Sequence, residues 1–326
     1  MDRFKLPQKP IYSTQFGSAY VGDSLCLMKE LPESSVNLIL TSPPYALHFK
    51  KEYGNKNQSE YVGWFLPFAK ELLRVLKPDG SLVIDIGGSW QPGQPTRSLY
   101  HFELLIALCK DIGFHLAQEC YWYNPAKLPA PAEWVTVRKI RVKDAVNCLW
   151  WLSKTPHPKA NNQNVLTPYS DDMKRLLKRG YKPKVRPSGH HITYKFGNGN
   201  GLGAIPPNLL VYGNNDSNSH YLEACKRAEI KPHPARFPIQ LPTFFVRLLT
   251  EPGDVVLDPF AGSNTTGEGC EREKRLWIAI ETEKSYLEAS RFRFQHQELT
   301  PITLTRNGEM PPVVQQDLFA LSESSS

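Results

Sequence analysis

Val36-Asn37-Leu38-Ile39-Leu40-Thr41-Ser42-Pro43-Pro44-Tyr45 joins an aliphatic run directly to a stiff loop with one hydroxyl and one aromatic ring. Val36–Leu40 reads as a short strand buried on both faces, the habit of a parallel sheet. Ser81–Ile86, Asp254–Leu257 and Arg275–Ile280 have the same character. Between these runs the apolar spacing turns helical. Over Glu60–Leu76 the residues Tyr61, Trp64, Phe65, Phe68, Leu72, Leu73, Val75 and Leu76 are apolar, Pro67 is a blemish, and Lys77-Pro78-Asp79-Gly80 supplies a closing turn. His101–Ile112 and Pro242–Leu249 predict two more helices. The aromatic-rich Ala117–Tyr123 and Cys148–Ser153 suit a pair of antiparallel strands. Strand and helix alternate, so the expected class is α/β with a mostly parallel, doubly wound sheet carrying one antiparallel strand.

The 326 residues, 40% of them hydrophobic, suffice for one large α/β domain plus a smaller insertion. The alternation breaks from about Leu152 to Lys231, where Pro, Gly and Asn accumulate and periodicity fades. Residues 152–200 hold ten Lys or Arg against two Asp, an excess of +8 beside the chain's +7. A solvated loop-rich insertion is the plain explanation. Crowding of this charge beside Tyr169, Tyr181, His190 and Tyr194 favours a nucleic-acid surface instead. Lys174, Arg175, Lys178 and Arg179 suit a short shared helix. The stretch beyond Thr300 is polar and Ser-rich at its end, which predicts a disordered tail. The six cysteines lack C-x-x-C spacing and nearby histidines, so free thiols in a reducing compartment are expected, with no metal site. The polar start carries no signal peptide and no apolar run has membrane length, so a soluble, cytoplasmic protein is expected.

Two motifs carry chemistry. Ser42-Pro43-Pro44-Tyr45 follows a parallel strand, at the end where such sheets place their sites. Its prolines fix an extended path and remove two N–H donors, leaving a hydroxyl, outward carbonyl oxygens and a ring. That inventory suits a planar ligand bearing an amino group, with Tyr45 stacked on its face. A loop merely stiffened by prolines is the alternative, and four residues alone leave both open. The second motif is Asp258-Pro259-Phe260-Ala261-Gly262-Ser263-Asn264-Thr265-Thr266-Gly267, between a strand and a helix. Small residues admit a ligand close to the backbone, and a helix start offers N–H groups to a carboxylate. Phosphate-loop and dinucleotide fingerprints are both absent. Glu281, 23 positions after Asp258 and at the tip of the next strand, is placed to accept two ribose hydroxyls.

Together these motifs resemble those of the amino-methyltransferases of DNA. The catalytic motif precedes the donor loop, with the basic stretch between them, which is the circularly permuted β arrangement of that family. Tyr20-Val21-Gly22-Asp23-Ser24 looks like the segment whose Asp approaches the donor's adenine. His233-Pro234-Ala235-Arg236-Phe237-Pro238 looks like the one closing over the donor's methionine end. The resemblance spans roughly Ala19 to Arg291 and is nearest to the PvuII-type modification enzymes of type II restriction systems. Lys127-Leu128-Pro129, residues 138–147 and Ile205–Leu210 are further shared-looking blocks. Asn264 stands where the family commonly has Gly. Asn adopts a left-handed backbone most readily among non-Gly residues, so the turn can survive.

The resemblance implies a Rossmann-like fold that takes S-adenosylmethionine and methylates DNA at an exocyclic amino group. Ser at the motif's first position favours cytosine N4 over adenine N6. A non-catalytic or RNA-modifying relative is the distant rival. Ser42, Pro43, Pro44, Tyr45 and Asp85 are the expected catalytic set, with Asp85 orienting Ser42, taking a proton through it, or merely capping Gly87-Gly88-Ser89. Asp23, Ser24, Pro234, Phe237, Asp258, Phe260, Gly262, Ser263, Asn264, Thr265 and Glu281 are the expected donor set. Lys174, Lys178, Arg186, His190 and His191 are the expected DNA contacts. The expected organisation is a catalytic part over 11–153, target recognition over 154–231, donor binding over 232–299 and a tail over 300–326. The implied partners are double-stranded DNA and a cognate endonuclease acting without direct contact. The resemblance further suggests a monomer and the word CAGCTG.

Overall fold

The computed structural model describes residues 6–46, 56–180, 184–185, 187, 191–192, 203–214, 219–295, 302 and 304–305. The first half of the chain runs β1 (Tyr12–Ser13), β2 (Gly17–Val21), α1 (Ser24–Lys29), β3 (Val36–Thr41), α2 (Tyr61–Val75), β4 (Leu76–Ile86), α3 (Tyr100–Ala107), β5 (His115–Tyr123) and β6 (Val146–Ser153). The second half adds α4 (Asp171–Arg179), β7 (Lys184–Val185), β8 (His191–Ile192), β9 (Leu209–Val211), α5 (His220–Arg227), α6 (Gln240–Leu249), β10 (Val255–Asp258), α7 (Thr265–Arg272), β11 (Leu276–Glu281) and α8 (Lys284–Ser290). Nine strands form one sheet in the order β1-β2-β11-β10-β3-β4-β6-β5-β9. From β2 to β4 in that order the neighbours are parallel. β6 runs against β4 and β5, as the aromatic-rich pair predicted. The edge strand β1 is also antiparallel, and two residues are too few to leave a readable pattern.

Both faces of this sheet are covered. Leu38 and Leu40 pack with Phe244, Phe245 and Leu249 of α6, whereas Ile39 joins Phe65 and Leu72 of α2 and Leu104 of α3. That two-sided burial is why the strands are apolar at every position rather than at alternate ones. Each such side chain contributes about 1.5–3 kcal/mol. On α2 the inward stripe is Tyr61, Phe65, Phe68, Ala69, Leu72 and Val75. Pro67 falls on the exposed face, so the Gly63 carbonyl it leaves unpaired can turn to water and the helix continues. Val36 pairs with Leu76 but Leu38 with Ser81, so the expected 77–80 turn is an excursion inside β4 rather than a boundary before it. Pro78 cannot donate to a ladder, and its segment leaves the sheet for solvent.

Within 154–231, some segments are tied to the main sheet. β9 extends the edge beside β5, and Lys159 Nζ lies 2.6 Å from Asp254 Oδ2. By contrast α4 buries no side chain; Ser170 Oγ caps it by accepting from Met173 N at 3.2 Å. β7 and β8 form a separate two-stranded ribbon. The predicted tail, 300–326, lies almost wholly outside the described residues. No helix among the described residues is long and apolar enough to cross a membrane, and all six cysteines are free.

One feature of the order places the site. β10 leads through α7 to β11 on one side, while β3 leads through α2 to β4 on the other. The chain therefore departs in opposite directions from the β3–β10 boundary, and a crevice opens at the carboxyl ends there.

Candidate active site

A cavity of about 480 Å3 occupies this crevice. Its floor is pinned where the two strands end. Thr41 Oγ1 donates to Asp258 Oδ1 at 2.7 Å, which brings the Ser42–Tyr45 loop against the loop that starts at Asp258. Ser42, Pro43, Pro44, Tyr45 and Asp85 line one corner of the cavity.

In that corner Asp85, near the end of β4, is 2% exposed. Tyr45 Oη donates to its Oδ2 at 3.1 Å, Asn147 Nδ2 to its Oδ1 at 3.1 Å, and Ser42 Oγ lies 3.5 Å from Oδ2. The carboxylate therefore faces the S-P-P-Y side chains, and none of its hydrogen bonds goes to residues 87–89. Burial raises its pKa to about 6, against the lowering effect of Asn147, Tyr45 and Ser42. Burial, reinforced by the Asp85 charge, pushes the Tyr45 hydroxyl well above its ordinary range, so it remains a donor. Asn147 Nδ2 also reaches Tyr45 Oη at 3.0 Å, fixing the ring by its tip. The ring lies over Gly87, where an added Cβ would come within 2.5 Å of Tyr45 Cε2. Only a residue without a side chain fits behind that ring.

The opposite corner is built by β10, α7 and β11. Asp258, 3% exposed, accepts from Thr41 Oγ1 and Thr266 Oγ1, each at 2.7 Å, and from Phe260 N at 3.1 Å. Its pKa is also raised to about 6, chiefly by burial. Glu281 Oε2 accepts from Gly262 N at 2.8 Å and Oε1 from Glu283 N at 2.9 Å, leaving lone pairs toward the cavity it lines. Gly262 has φ +50, and a Cβ there would lie 3.1 Å from the His233 ring. The Phe260 ring packs 5.2 Å from Phe68 and 6.0 Å from Trp64. A bare backbone, a half-buried carboxylate and an aromatic wall fit a flat, hydroxyl-bearing ligand such as S-adenosylmethionine. Asp23 caps α1 by accepting from Cys26 N at 3.1 Å and lines the cavity with Ser24.

Pro234, Phe237, Phe260, Ser263 and Thr265 reach the same cavity. Asn264 is not among the lining residues. It is fully buried in the left-handed conformation, φ 53 and ψ 42, and its Oδ1 accepts from Gly267 N at 3.0 Å. Its Nδ2 donates to Tyr12 Oη, so the residue shapes the loop from behind. Lys174 and Lys178 lie exposed on α4, away from the cavity lining. Arg186 and His190 lie outside the described residues, as does the His191 side chain. Among the described residues no His, Cys, Asp and Glu group has the makings of a metal site.

Sequence reasoning assigned no role to Trp122 or Asn124, placed Lys127 and Asn147 only in shared-looking blocks and His233 only within the strap segment, yet all five line the cavity. Asn147 lies one step beyond the Ile86–Cys148 pair, on the same face as Asp85. Only the register of β4 against β6 reveals it. His233 packs edge-on against Tyr286 with ring centroids 4.6 Å apart, and its Nδ1 bonds the Ala235 carbonyl.

Comparison with known proteins agrees with this geometry. A family model described as DNA methylase matches residues 36–292. The type II methyltransferase M.PvuII of Proteus hauseri is 53% identical over 307 residues, covering 93% of this chain and 91% of that protein. The solved structure of the PvuII DNA methyltransferase (cytosine-N4-specific) superposes with a TM-score of 0.74 at 49% identity, covering 90% of this chain and 91% of that one. The DNA adenine methyltransferase YhdJ of Escherichia coli K12 is 24% identical over 301 residues, covering 89% of this chain and 88% of that protein.

Proposed function

The chain belongs to the DNA methylase family, and from that premise we propose that it methylates the N4 amino group of cytosine in double-stranded DNA, using S-adenosylmethionine. The observation that carries the reading is the Thr41–Asp258 bond, which sets the S-P-P-Y corner beside the donor corner in one cavity. The similarity to the cytosine-N4-specific PvuII DNA methyltransferase, 49% identical over 90% of this chain, supports cytosine N4 over adenine N6.

Glu281, Asp23, Phe260, Gly262 and the Pro234–Phe237 strap would hold the donor, which supplies an electrophilic methyl group when bound. The target nitrogen is a poor nucleophile because its lone pair is delocalised into the ring. Ser42 Oγ and the Pro43 carbonyl accept its two N–H bonds and draw it toward tetrahedral geometry, freeing the lone pair. As the nitrogen gains carbon it must lose a proton. Asp85, ionised at neutral pH with a pKa of about 6 and 3.5 Å from Ser42 Oγ, accepts that proton through the serine. No cysteine nucleophile is required.

We assign target recognition to residues 154–231, donor binding to 232–299 and base chemistry to 11–153. Lys174 and Lys178, exposed on α4, suit phosphate contacts. The protein would work in the cytoplasm as a monomer, protecting DNA from a cognate endonuclease without touching it. Incubation with unmethylated DNA and labelled S-adenosylmethionine, followed by nucleoside mass analysis, tests the whole reading. N4-methylcytosine is the expected product. N6-methyladenine would keep the fold and overturn the role of Ser42 in target choice.

A further inference from the structure

Residues 124–145 join β5 to β6 and leave from the carboxyl end of β5, which runs parallel to β4, so they lie on the rim where the cavity opens. The loop is folded upon itself. Lys143 Nζ donates to the Pro125 carbonyl at 3.2 Å and the Lys127 carbonyl at 3.0 Å. Asp144 Oδ1 anchors it to the body through Arg97 at 2.7 Å. An anchored loop has the means to hide its apolar side chains, yet Leu128 is 79% and Val142 86% exposed, with Val137 and Ile140 exposed alongside. Single exposed aliphatic residues are ordinary; four on one anchored loop are an interaction surface.

Its position narrows the partner. Lys127 reaches the cavity lining, Leu128 follows it in sequence, and Val142 precedes the lysine that clamps the Lys127 carbonyl. Leu128 and Val142 thus each adjoin a residue of the Lys127–Lys143 contact at the cavity's edge. Residues 124–145 hold five Lys or Arg against two acids, which suits a polyanion.

We propose that this loop is a wedge on which duplex DNA lies, with Leu128 and Val142 entering the base stack beside the target as it turns into the cavity. The inference rests on the base-methylating reading above. A base leaving the stack opens a gap whose lining loses its contacts, and an aliphatic side chain there restores them and keeps water out. The role is indifferent to sequence and so differs from reading the DNA word. The basic residues hold the backbone while the aliphatic pair lowers the cost of unpairing.

The test compares the wild-type protein with a Leu128→Ala, Val142→Ala double variant on two duplexes. They differ only in whether the target cytosine faces guanine or an abasic site. Both side chains are exposed, so melting temperature and donor affinity should match the wild type. On the paired duplex kcat/KM should fall about tenfold or more, the weight of burying one aliphatic side chain. On the abasic-opposed duplex, where the base is already unpaired, the loss should stay within about twofold. A variant like the wild type on both, or equally impaired on both, overturns the wedge and leaves the methylation reading standing. A wild-type dimer that the double variant abolishes in sedimentation would assign the patch to a second copy and overturn it too. Absence of N4 methylation by the wild-type protein on either duplex overturns the underlying reading and the wedge with it.

Discussion

The two corners of the cavity each hold a buried aspartate at the carboxyl end of a parallel strand, and burial raises both to a pKa of about 6. Their partners differ. Asp258 is held by two short hydroxyl bonds and a backbone N–H, from the end of β3, the first turn of α7 and the loop between β10 and α7. Asp85 is held at 3.1–3.5 Å by Ser42, Tyr45 and Asn147, side chains that face the cavity. Equal burial and equal pKa therefore do not mean equal roles. Short bonds to the frame make Asp258 a pin between two strands, whereas long bonds to cavity side chains leave Asp85 able to change its proton and its partners.

The difference can be broken from either side. The largest effect should come from Ser42→Ala, which removes the hydroxyl between Asp85 and the target. Single-turnover methyl transfer should fall by about 10²–10⁴-fold, with donor affinity by calorimetry unchanged; an unaltered rate would end the proposed role. Asp258→Ala should act on the frame, lowering stability by about 3 kcal/mol in urea titration as three bonds are lost. It should weaken donor binding as well, and a wild-type melting curve would contradict the pin. Asp85→Asn should do the reverse, losing transfer while stabilising the fold. Folding raises this pKa, so the folded chain retains a proton that the unfolded chain releases above about pH 4. The stability so gained is complete below that pH and is lost as pH rises through about 6. At pH 8 the neutral Asn should therefore be more stable by up to about 3 kcal/mol, and a less stable variant would erase the contrast.

The smallest effect sharpens the comparison. Asn147 lowers the Asp85 pKa by hydrogen bonding. With Asn147→Ala the acid limb of kcat, expected near pH 6, should move up by about one pH unit. A merely structural role for Asn147 would lower kcat without moving that limb.

Much of this corner and its counterpart was legible from local order. Val36–Leu40 running into Ser42–Tyr45, and β10 running into Asp258–Thr265, are strand-to-loop signals because apolar runs and turn residues act on their neighbours in sequence. The left-handed Asn264 followed from backbone chemistry alone, although its side chain turned away from the cavity once Tyr12, 252 positions earlier, was folded against it. Lys77–Gly80 was expected as a closing turn, but the structure carries it within β4, where pairing with β3 resumes only at Ser81.

By itself the sequence determined the α/β class, the order of the two motifs and the residue types each corner offers, since these follow from short-range patterns and the chemistry of side chains. Only the tertiary structure decided that Thr41 pins Asp258, that Asn147 stands over Asp85, and that Leu128 and Val142 stay exposed on an anchored loop. Strand register and burial are set by contacts between residues far apart in the chain, and no local pattern records them.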